Sequence, residues 1–257
     1  MNEKFLGKVT CGDCLQLIPE LNDNTIDLLV TSPPYNVNLG NNKVHKTPYD
    51  LYNDNRPHHE YIGWLTDVFA EVKSKMVSGG RVVVNIGDGK NGSVPTHSDV
   101  IQFMTHELGY LPMTTIIWNK NTTPNRAAWG SYMSPSCPSF PSPIEFILIF
   151  AKDTPKKVGD KDKITVRKKD FIDNAYTLWK FAPEKKQKAM GHGSMFPPEL
   201  PRRCIEMLTY EDDVVLDPFA GLGTTSIAAE LTNRQHIAFE ISKNYCDLAT
   251  ARLAEIS

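Results

Sequence analysis

Short apolar runs alternate along this chain with segments of helical periodicity, and this alternation is the feature that most constrains its fold. Residues 26–30 and 81–86 are nearly continuous apolar runs of strand length, as expected for strands buried on both faces of a sheet. Between them, the apolar side chains of residues 58–77 recur every three or four positions, which predicts a helix. Strands separated by helices are typical of an α/β fold with a largely parallel sheet.

The remaining predicted elements continue this alternation. The pair Gly79-Gly80 is expected to end the helix that begins near residue 58. Residues 120–143 are dense in Pro, Ser, Asn and Thr, so no long element is expected there. Further strands are predicted at 7–11, 114–119, 145–151, 214–216 and 236–239, and further helices at 14–21, 99–107, 197–208, 225–231 and 243–254.

The composition is that of an ordinary globular protein. The 257 residues are 40% hydrophobic and 23% charged, which excludes a disordered or collagen-like chain. No apolar run approaches the ~20 residues of a membrane span, and the first residues lack the layout of a signal peptide. Five cysteines are an odd number for a disulfide framework, so we expect free thiols, no metal site and a cytoplasmic location.

Charge is unevenly distributed. The segment 151–190 contains 12 lysines and arginines against 6 aspartates and glutamates, a local net charge of +6, although the whole chain has a net charge of −2. A basic segment on an acidic body indicates a local contact with a polyanion rather than a protein that coats nucleic acid. On charge alone, a solvated lysine-rich loop is the simpler interpretation.

A glycine turn follows one of the later predicted strands. Gly221 and Gly223 lie where that strand turns into a helix, and glycine there allows a tight turn and a close ligand. Glu240 ends the next strand and can accept hydrogen bonds from two ribose hydroxyls. Ser226 replaces the third small residue of a dinucleotide fingerprint, and the Asp217 carboxylate would repel a pyrophosphate. The turn therefore favours a nucleoside without phosphates, such as S-adenosylmethionine, although an ordinary turn with a surface glutamate is the alternative.

The segment Ser32-Pro33-Pro34-Tyr35 follows the predicted strand 26–30 and so lies at the carboxyl edge of the sheet, where ligands bind. The two prolines leave rigid carbonyls without competing amides, and a hydroxyl or carbonyl there can accept the hydrogens of an exocyclic amine. Such acceptors localise the lone pair of a nucleobase amine, which its methylation requires. Tyr35 offers a stacking face for a base that has left the helix, whereas a structural turn with a packed tyrosine is the alternative.

Together, the segments 32–35 and 217–225 resemble the amino-methyltransferases of DNA, and the order of the two motifs resembles the β group of that family. The resemblance implies a Rossmann-like S-adenosylmethionine-dependent methyltransferase fold, with a seven-stranded, mostly parallel sheet and a circularly permuted motif order. It also implies direct methyl transfer without a covalent enzyme intermediate. Further segments that resemble the group, so that the similarity covers most of the chain, are Gly12-Asp13, 115–120, 145–152 and 192–197.

The resemblance also implies roles for individual residues. Glu240 would bind the ribose of the cofactor, and Asp13 would meet its adenine amine, with Ser194 and Phe196 close by. The catalytic motif, which would hold and stack the flipped base, consists of Ser32, Pro33, Pro34 and Tyr35. The rest of the cofactor site, around the methionine part, would consist of Asp217, Phe219, Ala220, Gly221, Gly223, Thr224 and Thr225.

The same resemblance divides the chain into a catalytic and cofactor-binding domain, 1–120 and 191–257, and a target-recognition insert, 121–190. The insert contains the basic segment, which would supply phosphate contacts, and the loop 37–57 would close over DNA. The partner is expected to be double-stranded DNA rather than a membrane, with a homodimer and a cognate restriction endonuclease as further candidates. The residues predicted to contact DNA are Lys43, Lys46, Arg56, Asn125, Arg126 and Ser131.

The first residue of the catalytic motif bears on which base is methylated. Many adenine-modifying members carry Asp where this chain has Ser32, and Ser-Pro-Pro-Tyr resembles the cytosine-N4 enzymes. The prediction is therefore a site-specific DNA cytosine-N4 methyltransferase, with adenine N6 as the first alternative. A methyltransferase for an amine outside DNA is a second alternative, and a non-catalytic DNA-binding module is disfavoured because both motifs are intact.

Overall fold

The computed structural model describes residues 2–36, 55–89, 92–122, 130–184 and 195–256. Within these ranges, eight strands form one sheet in the order β1-β8-β7-β2-β3-β5-β4-β6. The strands are β1 (Lys8–Cys11), β2 (Ile26–Thr31), β3 (Met76–Ile86), β4 (Leu111–Asn119), β5 (Ile144–Ala151), β6 (Leu178–Lys180), β7 (Val214–Asp217) and β8 (Gln235–Glu240). Only β5 runs antiparallel to its neighbours among these described strands. The predicted α/β fold with a mostly parallel sheet is confirmed, with an eighth strand, β6, at one edge.

Helices lie on both faces of the sheet. None of those within the described ranges has the length and hydropathy needed to cross a membrane. A π turn at Phe103–Glu107 continues the third helix. The helices are α1 (Cys14–Leu17), α2 (His58–Lys75), α3 (Thr96–Gln102), α4 (Lys168–Asn174), α5 (Glu199–Leu208), α6 (Thr224–Glu230) and α7 (Lys243–Ala254).

Consecutive side chains of the central strands enter two different hydrophobic cores, because side chains alternate between the faces of a strand. In β2, Leu29 packs in the core that contains Leu65 of α2. Its neighbours Leu28 and Val30 pack in the core that contains residues of α5 and α6. All three strand residues are fully buried. Burial on both faces explains why the sequence of this strand is a continuous apolar run rather than an alternating one.

The helices that follow β7 and β2 pack on opposite faces of the sheet. After β7, α6 contributes Ala228 and Ala229 to one core. The next described helix after β2 is α2, which contributes Leu65 and Val68 to the other core. β2 and β7 are hydrogen-bonded neighbours. Because the helices that follow them pack on opposite faces, a topological switch point lies between these two strands. Ligands of open α/β sheets bind at the carboxyl edge of such a switch point.

The third strand begins earlier than predicted. It starts at Met76 and includes Gly79 and Gly80, so these glycines do not end the helix, which already ends at Lys75. Gly79 has a φ of 74°, and a Cβ there would lie 2.5 Å from the carbonyl oxygen of Lys156. Glycine therefore allows the chain that leaves β5 to pack against the start of β3.

The expected insert, 121–190, contains two strands of the sheet. They are β5, which lies inside the sheet between β3 and β4, and β6, which pairs with β4. Ile147 and Leu148 of β5 are fully buried, so this strand belongs to the sheet core. Neither β6 nor α4 is predicted from the sequence, because each is too short to show a periodic pattern. Target recognition by the rest of the segment stays a prediction.

Candidate active site

Glu240 lies at the carboxyl end of β8 and is held by backbone amides. The amide of Gly221 donates to its Oε2 at 2.8 Å, and the amide of Ser242 donates to its Oε1 at 2.9 Å. Burial raises the pKa of Glu240, although the two amides oppose this effect. Both carboxylate oxygens are therefore oriented before any ligand binds, and each retains a lone pair for a further donor.

Asp217, at the end of β7, connects that strand to β2 across the switch point. Its Oδ1 accepts hydrogen bonds from the Thr31 hydroxyl at 2.6 Å and from the Phe219 amide at 3.0 Å. The residue is 2% exposed. Burial raises the pKa of Asp217, and hydrogen bonds from Thr31, Thr225 and Phe219 oppose the rise. A buried acid with a perturbed pKa beside a crevice is a candidate functional group.

The turn between β7 and α6 requires glycine. Gly221 and Gly223 have φ values of 53° and 73°, which other residues rarely adopt. A Cβ at Gly223 would also lie 3.1 Å from the Cβ of Ala249 in α7. The hydroxyl of Thr224, the first residue of α6, is buried without a hydrogen-bond partner in the described part of the chain. It is a polar group that a ligand at the turn can satisfy.

Asp13 follows β1, the strand paired with β8. Cys11 lies opposite Glu240 in the register, and the Gly12 amide donates to the Glu240 carbonyl oxygen at 2.9 Å. The Asp13 carboxylate caps α1 by accepting a hydrogen bond from the Leu15 amide at 3.0 Å. The sheet thus brings two acids predicted for the cofactor, from opposite ends of the sequence, to adjacent strand ends.

Three further predicted cofactor residues have described contacts. The Ala220 amide donates to the Phe239 carbonyl oxygen at 2.9 Å, which ties the turn to β8. The ring of Phe219 packs against Trp64 of α2, with centroids 5.3 Å apart. Phe196 packs against the core formed with α5 and α6. Phe219 and Phe196 therefore pack into the two different cores, on opposite faces of the sheet.

The catalytic motif leads into a chain of polar side chains. The Ser32 hydroxyl donates to the Tyr35 oxygen at 3.1 Å, and the Tyr35 hydroxyl donates to Glu145 Oε2 at 3.0 Å. The side-chain amide of Asn85 donates to the Tyr35 oxygen at 3.0 Å and to Glu145 Oε2 at 2.8 Å. Lys120 forms an ion pair with Glu145 Oε1 at 2.7 Å. These contacts fix both hydroxyls of the motif.

One residue joins this motif to the glycine turn. Thr31, which donates to Asp217, directly precedes Ser32. Pro33 is buried, whereas Ser32, Pro34 and Tyr35 are only half-buried, so part of the motif is accessible to a ligand. Proline has no amide hydrogen, so neither Pro33 nor Pro34 donates a hydrogen bond to the carbonyl oxygens nearby.

Asn85, Lys120 and Glu145 belong to this cluster but are not among the residues predicted from the sequence. Asn85 lies near the end of β3, Lys120 follows β4, and Glu145 lies at the start of β5. Because β5 is antiparallel to β3 and β4, its start shares an edge with their ends. A charged residue at the beginning of an apolar run was the available signal, and only the direction of β5 turns it into a contact.

The predicted DNA contacts are only partly within the described residues. The Arg56 guanidinium lies over the ring of Trp64, 5.5 Å from its centroid. The Ser131 hydroxyl donates to the Ser134 carbonyl and accepts from the Cys137 amide, both at 2.9 Å, so it stabilises its own loop rather than being poised for a base edge. The predicted site residues that lie outside the described ranges are Lys43, Lys46, Asn125, Arg126 and Ser194.

The five cysteines are free, as predicted. Burial raises the pKa of the Cys14 and Cys204 thiols to about 12, so both are protonated at neutral pH. Since a thiolate is the reactive form, neither is poised as a nucleophile.

Solved structures define the class of protein. A protein of Thermus thermophilus, assigned as a DNA modification methylase and solved with S-adenosyl-L-methionine, matches with a TM-score of 0.75 at 28% identity, covering 96% of this chain and 93% of that one. The cytosine-N4-specific PvuII DNA methyltransferase of Proteus hauseri shares the fold, with a TM-score of 0.69 at 22% identity, covering 98% and 93%. The fold is therefore that of the Rossmann-like methyltransferases.

Sequence comparison then identifies the family. Residues 26–251 match the DNA methylase family of the N6/N4 type. The type II methyltransferase M.MjaI of Methanocaldococcus jannaschii is 31% identical over 267 residues, covering 92% of this chain and 88% of that protein. This chain belongs to the N6/N4 DNA methylase family, which confirms the resemblance based on the two motifs.

Proposed function

We propose that this protein transfers a methyl group from S-adenosylmethionine to the exocyclic N4 amine of cytosine in double-stranded DNA. The observation that carries the proposal is the hydrogen bond between Thr31 and Asp217, 2.6 Å long. It holds the amine-binding motif and the glycine turn side by side at one switch point. Membership of the DNA methylase family and the cofactor bound to the Thermus relative support the reaction class.

The residues of the glycine turn fit this cofactor. S-adenosylmethionine supplies an electrophilic methyl group on a sulfonium. Glu240, already oriented by two amides, accepts the ribose hydroxyls, and Asp13 meets the adenine amine. Asp217 places negative charge near a cationic ligand, and the Thr224 hydroxyl gains the partner that it lacks among the described residues. The set is completed by Phe219, Ala220, Gly221, Gly223, Thr225, Ser194 and Phe196.

The catalytic motif prepares the amine. The lone pair of a nucleobase amine is delocalised into the ring, so the nitrogen is a poor nucleophile. Ser32 and the carbonyl of Pro33 accept the two amine hydrogens, which localises the lone pair, while Pro34 keeps the segment rigid. Tyr35 stacks on the flipped base and compensates part of the cost of unstacking, a few kcal/mol. Holding both reactants in line supplies several more kcal/mol of barrier lowering, of order 7.

Two observations favour cytosine over adenine. The motif begins with Ser32 rather than a carboxylate, and the structurally similar PvuII enzyme is cytosine-N4-specific. We further propose that duplex DNA lies along the active-site edge of the sheet and contacts the loop 37–57 and the parts of 121–190 outside β5. A homodimer and a cognate endonuclease stay predictions.

The test is methylation of a pool of unmethylated duplex DNA of random sequence. The DNA is incubated with protein and methyl-labelled S-adenosylmethionine, digested to nucleosides and separated by mass spectrometry. Labelled 4-methylcytosine is the expected product. Labelled 6-methyladenine would contradict the base assignment but not the mechanism. Cofactor binding without any labelled nucleoside would contradict DNA as substrate and indicate another amine.

A further inference from the structure

We propose that Glu145 is a positioning residue for methyl transfer. Through Tyr35 it sets the direction of the hydroxyl hydrogen bonds, so that Ser32 presents a lone pair to the target amine. This inference rests on the proposed function, since it assigns a task to Ser32 in that reaction. Glu145 itself lies behind the motif and is not expected to touch the base.

The shorter hydrogen bonds of the cluster favour one arrangement of the hydroxyl protons. A carboxylate oxygen accepts hydrogen bonds, so Tyr35 directs its single hydroxyl proton to Glu145 Oε2 at 3.0 Å, in preference to the Asn85 backbone carbonyl oxygen at 3.5 Å. The Tyr35 oxygen is then limited to accepting, and Ser32 supplies a proton to it across 3.1 Å. With that proton engaged, the Ser32 oxygen can only accept. Each step follows from the acceptor that Glu145 Oε2 presents to Tyr35.

Asn85 reinforces this direction. Its amide nitrogen donates to Glu145 Oε2 at 2.8 Å, to the Tyr35 oxygen at 3.0 Å and to the Ser32 oxygen at 3.5 Å, which leaves one lone pair of Ser32 for a ligand. Its carbonyl oxygen Oδ1 is buried without a hydrogen-bond partner in the described residues. The amide is therefore held by its donor end, and its orientation depends on the carboxylate that it faces.

Lys120 fixes which carboxylate oxygen of Glu145 faces which partner. Its ammonium lies 2.7 Å from Oε1, and the Glu145 side chain is only 13% exposed. In a Glu145→Gln variant, the same ammonium would attract the amide oxygen and turn the amide nitrogen towards Tyr35. Tyr35 would then accept that hydrogen bond and donate to Ser32. The Ser32 proton would then point at the target amine, so that the hydroxyl and the amine N–H, both hydrogen-bond donors, would face each other.

The experiment measures single-turnover methyl transfer to the random-sequence duplex pool. Glu145→Gln is expected to lower the rate about ten- to a hundredfold, as for loss of one hydrogen bond to a charged group. The dissociation constant of S-adenosylmethionine should stay unchanged, because Glu145 has no described contact with the glycine turn. Tyr35→Phe, which keeps the ring, should lower the rate similarly, and the double variant should lose no more than either single variant.

A rescue variant separates positioning from a purely structural role. Adding Lys120→Met to Glu145→Gln removes the ammonium, so the amide can rotate and offer its oxygen to Tyr35. The double variant should transfer methyl groups faster than Glu145→Gln alone. Loss of a structural ion pair would instead give no recovery. Glu20→Gln is the matched control, since Glu20 forms an exposed ion pair with Lys4, far from the motif in the sequence.

The outcomes are distinguishable. A rate for Glu145→Gln equal to wild type, additive losses with Tyr35→Phe, or no rescue by Lys120→Met would overturn the inference while the wild-type protein still methylates DNA. If Glu145→Gln does not fold, Tyr35→Phe at wild-type rate would overturn it alone. A wild-type protein that binds cofactor but methylates no base would overturn the proposed function and the inference together.

Discussion

Asp217 is buried and Glu240 is half-buried, and the pKa values of both are raised mainly by desolvation. The folded protein therefore binds protons at these groups more readily than the unfolded chain does. It follows that their contribution to stability is present at low pH and is lost as the pH rises through the raised pKa values. Ionising these two carboxyl groups in the cofactor-free protein is therefore costly, and binding of a cationic cofactor offsets that cost.

Asp217→Asn is expected to stabilise the cofactor-free protein at pH 7 and to weaken cofactor binding. The amide oxygen can keep both hydrogen bonds that Oδ1 accepts, from Thr31 and Phe219, while the buried charge is removed. The free energy of unfolding should rise by about 0.5–2 kcal/mol, as measured by denaturant titration. The gain should shrink as the pH is lowered towards the ordinary aspartate range. A variant less stable than wild type at pH 7 would contradict this account.

The affinity for S-adenosylmethionine is expected to fall as the pH is lowered through the raised pKa of Glu240. A protonated Glu240 loses acceptor capacity for the ribose hydroxyls, and this begins above the ordinary glutamate value of about 4.3. Titration calorimetry at a series of pH values checks the expectation. Glu240→Gln should bind about tenfold more weakly at pH 8 with a flatter pH dependence, whereas Glu20→Gln should behave as wild type. An affinity independent of pH would refute the role of Glu240.

Among the elements, the turn from β7 to α6 depends most on residue type. It combines two positive φ angles with close packing against α7, so it holds the first residues of α6 beside Glu240. Helix propensity alone cannot indicate this requirement for glycine, because propensity only predicts that glycine weakens a helix. Gly223 is required by its positive φ and by its close packing against Ala249.

Gly223→Ala is expected to lower the free energy of unfolding by about 1–3 kcal/mol, since it strains the backbone at a φ of 73° and crowds Ala249. Cofactor affinity should fall with it. Gly63→Ala is the matched control, because Gly63 lies within α2 and a Cβ there meets nothing within 4 Å. It should stabilise the protein by about 0.5–1 kcal/mol. Thermal melting of both variants provides the comparison, and equal effects would contradict it.

For the whole molecule, the basic segment 151–190 carries less free charge than its composition indicates. Lys157 forms ion pairs with Asp27 and Asp213, and its side chain is only 8% exposed. Further internal pairs within the described part are Lys163–Asp212, Arg167–Asp170 and Lys169–Asp173. Exposed Lys180, at the end of β6, lies instead on the active-site edge, paired in register with Asn119. The candidate DNA contacts are therefore the basic residues at that edge of the sheet, whatever the net charge of the segment 151–190.

Lys180→Met and Lys157→Met are expected to have opposite phenotypes. Lys180→Met should leave stability unchanged and reduce the salt dependence of DNA binding by about one phosphate contact. Lys157→Met should lower the free energy of unfolding by about 3 kcal/mol, because it leaves the half-buried carboxylates of Asp27 and Asp213 together without a cation. DNA binding by its folded fraction should match wild type. Fluorescence anisotropy at several salt concentrations and denaturant titration separate the two, and a DNA-binding defect confined to Lys157→Met would contradict the assignment.

The amino-acid sequence by itself determined the α/β class, most element positions and the two motifs, because these depend on local periodicity and on short runs of neighbouring residues. The last helix, 243–254, and the acid at Glu240 are where the sequence predicts them. Only the tertiary structure decided that Glu145 meets Tyr35, 110 positions away, and that Lys120 and Asn85 join them. That contact depends on the reversed direction of β5, and a strand has the same apolar pattern whichever way it runs. For the same reason, β6 and the inner position of β5 could not be predicted from the sequence, since strand order is a property of the assembled sheet.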